Sequence, residues 1–467
     1  MPENPYDQIR YTTYPRQDMH PDRLSAVGRL FGMNPAPAPV DRCRVLEIGC
    51  GDGTHLIGMA YHLPESRFVG VDLAPERIRA AERTAECLGL TNVTFEARSL
   101  ADIDAAAGEF DFVLAHGLYS WIPAELREAL VRVCGERLAP NGIAFISYNA
   151  SPGCYLRQMM RDMMLYHTRQ AQGADEKITQ ARWLVEWLRD SHLVAAPLGE
   201  TLAKEAAYLL EKPADALYHD DLGEWNDPVY FRYFISHAAA HGLQFLGEAE
   251  ISEMFDPLGR LKPIQGGVLE REQYHDFVTL RRFRRTLLCR QDVTLARSLT
   301  SARMHEFLFS APPMEPEEDR VTSKSGARIA VKHEAVIAVL KALGERHPLP
   351  VAFDDLLPFA GNERDLADIL FGLLIGGFAT PHVHRFPCQT TVRPKPRASR
   401  LARSALDAPF VTTACHAPAK LDEKGRRLLG LMDGTREVSE LAAETGESVE
   451  DVERYALWCA GMGLLEA

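Results

Sequence analysis

The chain has 467 residues, 46% hydrophobic and 25% charged, which fits soluble globular folding but is too long for one compact domain. With 65 acidic against 52 basic residues the formal net charge is -13, which argues against a broad nucleic-acid footprint, so no nucleic-acid partner is expected. The start shows no leader pattern, no apolar run reaches the ~18 residues of a membrane span, and nine scattered cysteines form no Cys-x-x-Cys pair, so a cytoplasmic chain with reduced thiols and no membrane span is expected.

Residues 1–42 are rich in proline and tyrosine (Tyr6, Tyr11, Tyr14-Pro15, Pro35 to Pro39). Missing backbone donors suit an arm laid over a domain, here over the active site, better than a strand within one. From 43 to 154 apolar runs alternate with helical patterns. Strands are predicted at Cys43–Ile48, Arg67–Asp72, Val93–Glu96, Phe110–Ala115 and Ile143–Tyr148, with helices at Thr54–His62, Pro75–Leu88 and Pro123–Leu138. Strands apolar on both faces, each followed by a helix, predict a doubly wound α/β core with a parallel sheet. Residues 155–240 read as a helical insertion, with helices at Arg157–Gln170 and Lys177–Leu193 and with Trp183 and Trp187 on one face. A homodimer through this insertion is expected, although an internal buried face explains the pair equally well. Residues 241–290 supply two closing strands, Leu243–Glu248 and Arg282–Arg290, as a hairpin with one antiparallel member. Arg281, Arg282, Arg284 and Arg285 would straddle both faces of an edge strand, where charge discourages further pairing. A middle domain follows at 291–385, a linker at 386–418, and a three-helix, winged-helix-like module at 419–467. Its last helix carries Glu450, Asp451 and Glu453 against Arg454, which suits contact with protein rather than DNA.

The chemistry concentrates between Arg44 and Asp72. Val45-Leu-Glu47-Ile-Gly49-Cys50-Gly51-Asp-Gly53-Thr follows a predicted strand and opens a predicted helix. Gly49, Gly51 and Gly53 remove Cβ atoms where the chain turns and a ligand approaches. A dinucleotide fingerprint spaces its glycines Gly-x-Gly-x-x-Gly around a pyrophosphate. Here the spacing is Gly-x-Gly-x-Gly with Glu47 ahead of it, which fits a ligand with a cationic amino-acid end and no pyrophosphate. Asp72, at the tip of the second strand, can accept both ribose hydroxyls of an adenosine. Together these predict S-adenosylmethionine as cofactor, leaving S-adenosylhomocysteine, with Cys50 and Leu73 beside it. Ser99 and Leu100 sit where an adenine edge would be read, or Ser99 caps a short helix. His116, Tyr119 and Trp121 follow the fourth strand, and Tyr148 and Asn149 end the fifth, all on the side where such sheets bind ligands. His116 is a candidate cofactor contact and general base, or a hydrogen-bonded structural histidine. Tyr14, Tyr119, Trp121 and Tyr148 are the candidate channel rings, and Asn149 a candidate substrate contact. No metal site is expected: His382, His384 and Cys388 lack a persuasive fourth ligand.

At Asn4-Pro-Tyr-Asp7, Tyr14-Pro15, His20-Pro-Asp-Arg-Leu24, Leu46 to Gly53, Ala115 to Trp121 and Ser147-Tyr-Asn-Ala150 the sequence resembles the class I methyltransferases that carry a methyltransferase regulatory domain. Their best-known members are rickettsial protein lysine methyltransferases. Leu217–Phe255, with Asn226-Asp-Pro-Val-Tyr-Phe231, and Phe283–Leu288 resemble the regulatory region. The resemblance spans nearly the whole chain and implies core, helical dimerisation, middle and C-terminal domains. It also implies methyl transfer to a protein lysine. A small-molecule or RNA methyltransferase, or a non-catalytic cofactor-binding regulator, would share the same core. One departure is plain: where the family often has Tyr-Pro-Gly-Trp, this chain has Ser151-Pro-Gly-Cys154.

Overall fold

A computed structural model describes residues 9–191, 198–256, 259–315, 317, 319–323, 326–389 and 391–466. The Asn4–Asp7 motif and the predicted helix end at Leu193 lie outside them. Seven strands form the central sheet: β1 Arg44–Ile48, β2 Arg67–Asp72, β3 Val93–Ala97, β4 Phe110–Ala115, β5 Leu138–Asn149, β6 Leu243–Glu248 and β7 Phe283–Arg290. Their order is β3-β2-β1-β4-β5-β7-β6. β7 runs antiparallel to both neighbours, β5 and β6, and the other neighbouring pairs are parallel.

Side chains one apart on a strand face opposite sides, and both sides of this sheet are covered. Val45, Phe112, Leu114, Ile143 and Phe145 enter one apolar cluster. Leu46, Ile48, Val113, Ala144 and Ile146 enter the other. The first cluster takes in helices Thr54–His62 and Pro75–Leu88, and the second takes in Ala124–Arg137 and Phe231–Ala240. The doubly wound expectation therefore holds, with the antiparallel member in it.

Three expectations are corrected. β7 is an interior strand, so the arginine run is no edge guard. β6 and β7 pair, yet the connection between them carries the helix Val268–Thr279, so they are not a tight hairpin. The helical insertion also ends sooner. Its own core runs from Met160 to Leu222, whereas Phe231–Ala240 belongs to the sheet.

Strand Leu308–Ser310 pairs with Val351–Ala352 and Thr380–His382 in a small middle sheet. Its apolar residues are continuous with those on one face of the main sheet. At the C-terminus Glu423–Leu431, Val438–Thr445 and Val449–Gly461 pack around their own core. The stretch expected as a linker contributes to that core through the fully buried Ala398, Ala402 and Val411. No helix among the described residues is long and apolar enough to cross a membrane.

Candidate active site

β1, β2, β4 and β5 are parallel neighbours, so the loops leaving them lie side by side along one edge of the sheet. Gly49, Gly51 and Gly53 take φ of 77°, 55° and 72°, the left-handed region that a Cβ disfavours. Space matters as much at two of them. A Cβ on Gly49 would lie 3.0 Å from Leu118, and one on Gly53 would lie 2.7 Å from the Phe95 ring. The glycine loop is thereby seated on β3 and against the loop after β4.

Asp72 orders the same loop. One carboxylate oxygen accepts the Gly51 N–H at 2.9 Å and the other accepts the Ala74 N–H at 2.9 Å. Glu47 lies beneath, 4% exposed, and its Oε2 has no hydrogen-bond partner. Burial raises its pKa well above the usual carboxylate value, with Asp72 and Asp52 adding to the effect. A buried acceptor left open is costly unless a ligand supplies the donor. A positive-φ glycine cradle, an open acid and a carboxylate at the tip of β2 fit the amino-acid and ribose ends of S-adenosylmethionine. Leu73 is exposed beside them, and Cys50 is buried with its thiol pKa raised by burial. Ser99 accepts the Ala101 N–H at 3.2 Å and so caps the short helix Leu100–Asp102.

Asp52 went unnoticed in the sequence and turns out to fasten the arm. It accepts from Arg10 Nη2 at 3.0 Å, Thr13 Oγ1 at 2.6 Å and Thr54 Oγ1 at 2.7 Å, with Arg77 Nη1 at 3.5 Å. Burial opposes its charge, but these hydroxyls and Arg10 outweigh it and lower its pKa. Arg77 also donates to Tyr11 O, and Thr12 N–H donates to Asp215. Residues 10–13 are thus tied to the cofactor loop and to the insertion at once. An acid between two glycines at a helix start signals a local cap; nothing local names partners some forty residues upstream.

The predicted catalytic residues do not gather in one place. Tyr119 is 5% exposed, its hydroxyl 2.8 Å from His237 Nδ1, and its ring packs on Phe234. Tyr148 is fully buried, paired with Thr286 and set against Phe234. Both rings belong to the core under the sheet, so neither lines a channel. Asn149 holds Asn226 at 2.8 Å, fixing the 226–229 segment beside β5. Tyr14 remains half-exposed against Phe410 of the C-terminal domain. Trp121 is half-buried with its indole N–H unpartnered.

His116 is held through Ser147, whose hydroxyl accepts the Gly117 N–H at 2.9 Å and lies 2.9 Å from His116 Nδ1. Burial and Arg16 keep the ring neutral. A neutral, hydrogen-bonded His116 is compatible with either reading, a cofactor contact and general base or a structural histidine. The altered turn is a packing feature. Ser151 and Cys154 are buried, and the Cys154 thiol donates to Arg282 O at 3.0 Å. His382, set aside as a metal ligand, pairs with Asp22 at 2.6 Å and Ser310 at 2.8 Å.

A family model described as "Methyltransferase domain" matches residues 45–142, and one described as "Predicted methyltransferase regulatory domain" matches 213–290. A third, "PKMT, C-terminal winged helix domain", matches 394–454. The chain is 39% identical to an uncharacterized Rickettsia prowazekii protein over 67% of this chain and 58% of that one. It is 35% identical to a second uncharacterized protein of the same organism, over 50% of this chain and 93% of that one. It thus spans 58% of the length of the first relative. The fold is similar to that of PKMT2 from Rickettsia typhi, with a TM-score of 0.84 and 25% identity, covering 98% of this chain and 100% of that one. PKMT2 has also been solved in complex with AdoHcy.

Proposed function

This chain belongs to the class I S-adenosylmethionine-dependent methyltransferases that carry a methyltransferase regulatory domain, and from that premise we propose that it methylates the side-chain amine of a protein lysine. The single observation that carries the cofactor half is the open, buried Glu47 beneath a glycine cradle, with Asp72 at the tip of the next strand. The acceptor half is supported by likeness to PKMT2 along the whole chain and by the winged-helix module described for PKMT. An O-methyltransferase of ubiquinone biosynthesis from Cereibacter sphaeroides matches only 40% of this chain.

S-adenosylmethionine, when bound, supplies a methyl already activated on a sulfonium. The chain's work is alignment and exclusion of water. Glu47 would face the ammonium, directly or through water, and Asp72 the ribose. Residues 10–13 would close over the pocket through Asp52. His116, neutral and held by Ser147, would orient the cofactor or substrate. A lysine amine must arrive without its proton, and burial against the protein would disfavour the charged form. The bound cofactor would supply the methyl and depart as a thioether, and the methylated amine would give its surplus proton to water.

Tritiated cofactor mixed with the enzyme and a lysate tests this. Label should enter the protein fraction and survive on lysine after hydrolysis. Label confined to RNA or to organic extracts would replace lysine with another acceptor, and cofactor binding without any transfer would make the chain a regulator.

A further inference from the structure

Away from the cofactor loop, three ligand-type side chains meet between two helices. Glu128 lies on Ala124–Arg137, His237 on the last turn of Phe231–Ala240, and His241 just beyond that helix's end. Glu128 Oε2 is 2.9 Å from His237 Nε2, and Oε1 is 2.8 Å from His241 Nε2. One ligand atom from each of the three lies within 4.8 Å of the others. The i, i+4 spacing places the two imidazoles on one face, edge to face with centroids 5.7 Å apart, where the helix's terminal carbonyls add partial negative charge.

Two further features make this a fixed arrangement. A Cβ on Gly135 would sit 2.3 Å from His241 O, so glycine there permits the close approach of the two elements that supply the ligands. Behind His237, Nδ1 lies 2.8 Å from the hydroxyl of Tyr119, itself 5% exposed. Histidine bound to a metal through Nε2 carries its proton on Nδ1 and donates it to a fixed acceptor. Tyr119 is that acceptor. The nearby Arg127 is already paired with Asp227.

We propose that Glu128, His237 and His241 bind a zinc-class divalent ion. Two imidazoles and one carboxylate form the three-ligand set of zinc sites that keep a fourth position for water, and imidazole disfavours calcium and magnesium. Glu128 is 61% exposed at its side chain, leaving that position open to solvent. The ion would clamp the two helices and, through Tyr119, stiffen the loop that carries His116 and Trp121. Each imidazole would ligate through Nε2, so a proton held there would move to Nδ1 or leave to solvent on binding.

Tag-free, full-length protein stripped with a chelator is titrated with Co2+ by visible absorption, and with Zn2+ against a chromophoric chelator. We expect one equivalent with Co2+ bands of low coordination number. Affinity should fall at least ~100-fold in the His237→Ala, His241→Ala double variant, and roughly ten- to a hundred-fold in Tyr119→Phe. Glu128→Gln, a surface change, should weaken binding with the metal-free melting temperature unchanged. Wild-type affinity no tighter than millimolar, or equal affinity and stoichiometry in the double variant and in Glu128→Gln, would overturn the site.

Discussion

Glu47 is held beneath the glycine loop with one oxygen unpaired, and burial raises its pKa. A cationic ligand favours the carboxylate, so cofactor binding should release protons and weaken as pH falls. Titration calorimetry in buffers of different ionisation heat should show this release. Glu47→Gln should abolish it and cost roughly tenfold or more in affinity, the value of a charged hydrogen bond. A buffer-independent heat would contradict the assignment. Glu47, Gly49, Gly51 and Asp72 were legible because their spacing is local to one strand-turn-helix unit. Tyr148 was misplaced although a signal existed: it shares strand parity with Ala144 and Ile146, both core residues. Tyr119 offered no such signal, because its partners Phe234 and His237 lie far along the chain.

Among the elements, β7 shows what local patterning cannot convey. The strand itself was legible, but its place between β5 and β6 depends on pairing across long connections. Arg284 is fully buried there. It donates to Glu248 at 2.5 Å, to Glu272 at 3.1 Å and to Asp276 at 2.8 and 2.9 Å, with its guanidinium 4.1 Å over the Phe231 ring. Arg284→Met would leave three buried carboxylates without it, and removing one partner from such a network costs about 3–5 kcal/mol. Urea unfolding should show a loss of that size, and a change below about 1 kcal/mol would mean the network relaxes freely. The segment 386–418 misled for a related reason: its prolines and basic residues look like a linker, while Ala398 and Ala402 are small core residues with no periodic signal.

For the whole molecule, three histidines join the arm, the core and the C-terminal domain. His416 Nε2 lies 3.0 Å from His55 Nδ1, and His20 packs on His416. Burial lowers His20 and His55 to about 3 and His416 well below its usual value. The unfolded chain therefore binds more protons below about pH 6.5, and the stability present above that value is lost as pH falls toward 3. Each costs about 2 kcal/mol at pH 5, at 1.36 kcal/mol per pH unit. Glu272, raised by burial to about 7, and Glu47, raised well above its usual value, act in the opposite sense, while His62 and His275, lowered by burial to about 4, add to the three histidines. The urea midpoint should fall clearly between pH 7.5 and 5; an unchanged midpoint would contradict neutral burial. Trp183 and Trp187 stack 6.2 Å apart and are 55% and 53% exposed, an apolar face that a second copy would cover. Light scattering should give a dimer for the wild type and a monomer for Trp183→Glu, Trp187→Glu; a monomeric wild type would remove the dimer.

The most direct measurement is calorimetric titration of S-adenosylhomocysteine into the wild type and Asp72→Ala. A cofactor held on the Arg44–Asp72 unit predicts one site per chain in the wild type. In the variant, binding should fall beyond detection while the fold persists by circular dichroism. No binding by the wild type, or equal binding by folded Asp72→Ala, would contradict it.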